Sequence, residues 1–104
     1  MGESQREVTG ATIVRRNLRV TGRDFREGEG AVLLHTETGA YHRLNPTGAH
    51  IWHMLDQPTR FDELERRLRN GLEDPDALLA ADLAAYIADL AGRDLVHLDS
   101  PPAR

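Results

Sequence analysis

A three-stranded antiparallel sheet followed by three helices, an α+β fold, is what this 104-residue sequence predicts. Three observations predict it. Short β-branched runs with partial alternation fill the first half. Apolar residues at helical spacing fill the second. The change falls at Leu44-Asn45-Pro46, where a strand runs straight into a helix cap. The order βββααα has the outline of a winged helix with its sheet placed first.

The first strand is expected over Ala11 to Thr21, with Val14, Leu18 and Val20 on one face and Ile13, Arg15, Asn17 and Arg19 on the other. TGRDFREGEG reads as a loop. Ala31 to His35 and Ala40 to Leu44 form a hairpin, with Thr36 to Gly39 as its turn and Gly39 at the positive φ that tight hairpins need. Asn45 then caps a helix with Pro46 at its first position, running to about Leu55 and burying Ile51, Trp52 and Leu55. Thr59 is read as the cap of a second helix, Phe61 to Asn70, with Gly71 as its C′ residue. Asp74-Pro75 opens a third, about Asp76 to Ala91, whose stripe is Leu79, Leu83, Tyr86, Ile87 and Leu90. Leu95 to Leu98 follows as a short extended tail. The domain is expected over residues 11–98, with polar tails at 1–10 and 99–104. That leaves roughly 85 residues for one core.

Composition excludes several chemistries. There is no cysteine, hence no disulfide, thiolate nucleophile or zinc knuckle. There is no lysine, hence no Schiff base or Walker lysine; all 13 basic residues are arginine. The only serines, Ser4 and Ser100, fall in the tails. The net charge of −4 is not the basic field of a nucleic-acid binder. No apolar run nears the ~20 residues of a membrane span, and no signal peptide is read, so a cytoplasmic location without membrane partners is expected. His50 and His53 are spaced i,i+3, but no carboxylate or cysteine flanks them at matching spacing, so no metal and no cofactor is expected.

The arrangement suggests a use. A meander leaves an edge at Ala40 to Leu44, blunted only by its shortness and by Arg43. An extended peptide can add a strand there, with the third helix as the other wall of a groove. Tyr41 and Leu44 are three apart and take opposite faces, so at most one is core.

The stretch GAVLLHTETGAYHRLNPTGAHIW, then FDELERRL, then DLAAYIADLAGRDLV, resembles the PqqD-like family, the RiPP recognition elements. Leu33-Leu34, Gly39, Tyr41, Leu44-Asn45, Gly48, Ile51-Trp52, Asp82, Ile87, Leu90 and Leu95-Val96 occupy the family's places in order. One departure is Asp94, where glycine is expected before Leu-Val. The resemblance implies a non-enzymatic protein that binds the leader of a ribosomally made precursor peptide as an added strand. It implies Tyr41, His42, Arg43, Leu44, Leu79, Asp82, Leu83 and Tyr86 as the peptide-binding residues. The Tyr-His-Arg-Leu-Asn and Thr-Gly-Ala-x-Ile-Trp variant is most similar to the stand-alone lasso-peptide version. Its implied partners are the leader, a separate cysteine-protease leader peptidase and a cyclase. The alternative within the family is a PqqD-type chaperone that delivers a precursor to a radical-SAM enzyme.

Two rivals come from other classes. A DNA-binding winged helix needs a basic recognition helix, but the second helix mixes Arg66, Arg67 and Arg69 with Asp62, Glu63 and Glu65, and the third is acidic. A small enzyme would have only histidines and carboxylates to work with. Asp82 reads either as a solvated helix residue or as a carboxylate on the groove wall.

Overall fold

The computed structural model describes residues 8–26, 28–70 and 80–100. In chain order these form β1 (Ile13–Arg16), β2 (Val20–Asp24), β3 (Ala31–His35), β4 (Tyr41–Leu44), α1 (Pro46–Met54), β5 (Thr59–Arg60), α2 (Phe61–Asn70), α3 (Ala80–Gly92) and β6 (Val96–Asp99). The fold is α+β, as expected, but its strands make two antiparallel three-stranded sheets rather than one, ordered β5-β1-β6 and β2-β3-β4.

The expected first strand is two strands, and Asn17 is the reason. Its Oδ1 accepts from Arg19 N–H at 2.9 Å, its carbonyl accepts from Val20 N–H at 3.0 Å, and its Nδ2 donates to the Asp94 carbonyl at 2.8 Å. This side-chain-to-backbone turn competes with the strand and swings the chain from one sheet to the other. Val14 therefore enters the core, whereas Leu18, expected on the same face, is 94% exposed in the turn. The Thr21-to-Asp24 part of the expected loop is strand β2. The extended tail after α3 is strand β6, paired along all of β1.

The hairpin and its junction with α1 follow the sequence. Gly39 sits at φ 78 in the β3–β4 turn, where its N–H donates to the His35 carbonyl at 2.8 Å. Asn45 caps α1, its Oδ1 accepting from Gly48 N–H at 2.7 Å, with Pro46 in the first turn. Gly30 is fixed from two directions: φ is 93, and a Cβ there would lie 2.0 Å from the Leu44 carbonyl oxygen. The exit of β4 thus presses on the entry of β3.

Helix α2 begins as expected, but its first N–H groups are met from elsewhere. Phe61 N–H donates to the Thr12 carbonyl at 2.8 Å and Asp62 N–H to the Gly10 carbonyl at 3.0 Å, while the Thr59 hydroxyl donates to the Gln57 carbonyl at 2.8 Å. The proposed start of the third helix, and Gly71, lie outside the described residues. The core lies between the sheets and the helices. Val14, Leu33, Leu55, Leu64, Leu68, Leu83, Ile87, Leu95 and Val96 are all fully buried. Among the described residues no helix is long and apolar enough to cross a membrane.

Candidate functional site

Strand β4 lies at the edge of its sheet, bonded to β3 on one side only among the described residues. The pairing decides which of its backbone groups are free. His35 faces Ala40 in the same register as Leu33 with His42 and Ala31 with Leu44, and His35 N–H donates to the Ala40 carbonyl at 2.9 Å. In an antiparallel ladder bonded and non-bonded pairs alternate. His42 and Leu44 therefore turn their N–H and C=O groups toward β3. Tyr41 and Arg43 turn theirs outward.

The side chains divide by the same period. Leu44 is buried and His42 half-buried on the core side, while Tyr41, 71% exposed, and Arg43 lie on the other. The sequence expectation that at most one of Tyr41 and Leu44 is core holds, with Leu44 as that residue. The Arg43 guanidinium stacks over the Phe25 ring at 4.8 Å, which keeps it on the outer face.

A cleft of about 160 Å³ runs between this edge and α3. His42, Arg43, Leu44 and Asn45 form one wall; Tyr86, Asp89, Leu90 and Arg93 of α3, with Leu95, form the other. A dry cavity of about 150 Å³ holds a benzene-sized group, so the cleft has room for one large apolar side chain. Tyr86 ties its wall to the strand's exit. Its hydroxyl packs against Gly48 at the start of α1, where an added Cβ would push the phenol aside. Burial holds the Tyr86 phenol above its ordinary pKa; the nearby Asp89 carboxylate adds to this and Arg93 opposes it. The ring therefore enters neutral conditions as an uncharged donor. Asp89 and Arg93 pair along α3 at 3.1 Å on the rim.

Of the residues expected to bind peptide, the cleft joins His42, Arg43, Leu44 and Tyr86, with Tyr41 beside it on the same edge. Leu83 is 1% exposed and supports α3 from within the core. Asp82 is solvent-exposed in the first turn of α3 and outside the cleft lining. Leu79 lies outside the described residues. Asn45, Asp89, Leu90, Arg93 and Leu95 were not expected at the site. Asp89 and Arg93 follow Tyr86 by three and seven residues, a helical spacing that was the available signal.

The sheet's other edge, β2, is attended by α1. A Cβ at Gly22 would lie 3.2 Å from Trp52 Nε1, and His53 Nε2 is 2.8 Å from Asp24 Oδ1. A hollow of about 440 Å³ lies there among Phe25, Pro46, Ala49, His50 and His53. Among the described residues no group of three His, Asp or Glu side chains is placed to hold a metal.

One further cluster holds the hairpin. His35 is 2% exposed, and its Nε2 lies 2.9 Å from Asp94 Oδ2. Its Nδ1 accepts the N–H groups of Glu37 and Thr38 at 3.3 and 3.4 Å. With Nδ1 accepting, Nε2 carries the proton and donates to the carboxylate. Asp94 stands at φ 63, the conformation in which glycine was expected, and its Oδ2 also accepts from Asn17 Nδ2 at 3.2 Å. The carboxylate is held below the usual range, first by the bond from His35.

The family model described as coenzyme PQQ synthesis protein D (PqqD) matches residues 30–96. The solved structure described as TbiB1 in complex with the TbiA(beta) leader peptide superposes with a TM-score of 0.67, at 24% identity, over 86% of this chain and 99% of that one. The likeness establishes the shared fold. No curated protein matches the chain.

Proposed function

This chain belongs to the PqqD family, and we propose that it binds the leader segment of a ribosomally made precursor peptide by strand addition to β4. The observation that carries the reading is the open edge itself: outward backbone groups at Tyr41 and Arg43 beside a helix-walled cleft. Backbone pairing supplies affinity that does not depend on sequence, and the cleft supplies selectivity. Both walls are fixed before binding, β4 by Gly30 and the Asn45 cap and α3 by its core face, so the ordering cost falls on the peptide. The solved structure of similar fold holds a leader peptide, which supports the same use here.

The leader docks antiparallel to β4. Its N-terminal part then lies toward Asn45, and its C-terminal part leaves past Tyr41. The protein carries no chemistry of its own in this role. It holds the precursor for a separate enzyme, a cysteine-protease leader peptidase, with a cyclase acting after it. The alternative, delivery to a radical-SAM enzyme, is favoured by the family's description as a coenzyme PQQ synthesis protein. It shares the docking step and differs only in the enzyme served.

The test is a fluorescence-anisotropy titration of the full chain with labelled synthetic leader peptides of ribosomally made precursors. Saturable binding is expected, and Arg43→Pro, which removes an outward N–H while leaving the β3 ladder intact, is expected to abolish it. Normal binding by a folded Arg43→Pro variant would rule out pairing along this edge.

A further inference from the structure

We propose that the outer face of the β2-β3-β4 sheet docks the enzyme that removes the leader, a cysteine-protease leader peptidase whose contact patch is apolar with carboxylates around it. The proposal rests on the leader-presenting reading and gives the enzyme a place on the fold. The core covers one face of this sheet only. Ala31, Leu33, His35 and Leu44 point into it and are buried, while Val32 and Leu34 point the other way and stay half-buried. The register sets two cross-strand rows on that uncovered face, Arg23–Val32–Arg43 and Thr21–Leu34–Tyr41.

Two observations mark the face as a contact surface. Leu18 and Tyr41 are the large apolar side chains left exposed among the described residues, at 94% and 71%. Tyr41 is on this face, and Leu18 stands at its rim, where the chain turns into β2. Exposed apolar area gathered at one place is characteristic of binding surfaces. The second observation is charge. The chain carries a net charge of −4, yet neither row contains a carboxylate, and Glu37 at the adjacent turn is paired with Arg19. Arg23 and Arg43 flank Val32 two strand spacings apart, about 10 Å, with no ion pair among the described residues. A two-fold contact with a second copy would bring these cations together, whereas a partner bearing carboxylates would complement them. Position selects the enzyme. A leader strand on β4 extends this sheet, and its residues opposite Tyr41 and Arg43 add to the same face. Its C-terminal part leaves past Tyr41, at the end where Leu18 stands. An enzyme seated here touches the carrier and the bound precursor together, beside the exit of the chain it must cut.

The test uses the full-length protein, a labelled precursor whose leader it binds, and the recombinant cysteine-protease leader peptidase that processes that precursor. Leader affinity and cleavage rate are measured for the unaltered protein, for the double variant Leu18→Asp with Arg23→Glu, and for Arg67→Glu on the exposed side of α2. The double variant is expected to keep its leader affinity and to slow cleavage about tenfold or more. Arg67→Glu is expected to change neither. Unslowed cleavage by the double variant, an equal slowing by Arg67→Glu, or a slowing matched by lost leader affinity would overturn docking on this face and leave leader binding standing. An unaltered protein that binds leader without accelerating cleavage would overturn presentation to a peptidase along with the face. Failure to bind the leader would overturn the whole reading.

Discussion

The two sides of the β3–β4 hairpin treat their polar groups in opposite ways. At the turn side, the buried His35 and Asn17 are satisfied by the more exposed Asp94 and by the surrounding backbone. At the free side, the backbone of Tyr41 and Arg43 has no partner strand among the described residues. Buried polar groups must be paired inside the fold, whereas an edge can leave its groups to water until a strand arrives. The paired side is scaffold and the open side is where binding is proposed. The clasp holds β3 and its turn, β3 holds β4, and β4 offers the edge.

Variants can break this contrast, and the largest effects are expected on the scaffold. Gly30→Ala would place a Cβ against the Leu44 carbonyl at φ 93 and should cost about 3 kcal/mol or more. A chemical-denaturation midpoint close to that of the unaltered protein would show that the junction yields. His42→Pro should cost about 3 kcal/mol by removing a bond to β3, while Arg43→Pro one residue on should leave the melting curve nearly unchanged. Equal losses of stability from the two prolines would contradict the assigned parity. Within the cleft, Tyr86→Ala should weaken leader binding by roughly 2 kcal/mol if Tyr86 is an anchor, with little change in the fold's circular dichroism.

Smaller effects sharpen the contrast at the clasp. Asp94→Ala loses the acceptor and keeps the left-handed strain, whereas Asp94→Gly loses the acceptor and relieves it. Alanine should therefore be the worse by about 1 kcal/mol in thermal unfolding. The same group sets an acid limit. The folded-state pKa of Asp94 is depressed, so its contribution is present above the ordinary carboxylate value of 3.8 and is lost as pH falls below it toward the folded pKa. Asp94→Asn should flatten that part of the stability profile. An unchanged slope in the variant would mean that other carboxylates govern acid unfolding.

Much of the fold was legible because its signals are local. The β3–β4 hairpin needed only alternation and Gly39, and α1 announced itself through Asn45 and Pro46. Helix α2 ran from Phe61 to Asn70 as its spacing implied. The second sheet was not legible. Asn17 sits in a β-branched run, and its turn is completed by Asp94, 77 residues away. Nor could pattern alone give the pairing of β6 with β1. The clasp left one trace, an aspartate where the resemblance calls for glycine. That residue is a departure chosen by His35 and Asn17, which need its carboxylate, rather than by the backbone, which would favour glycine. At the candidate site, the place of β4 at a sheet edge was legible from strand order. Which face of the third helix lines the cleft was not, because an apolar stripe does not tell core residues such as Leu83 from rim residues such as Asp89 and Arg93.

The most direct test of the central claim is amide hydrogen exchange at β4, residue by residue, with and without the synthetic leader peptide. In the free protein the Tyr41 and Arg43 amides should exchange quickly, and those of His42 and Leu44 slowly. Saturating peptide should protect Tyr41 and Arg43 strongly and change the other two little. Peptide that binds while leaving Tyr41 and Arg43 as exposed to exchange as before would contradict strand addition at this edge.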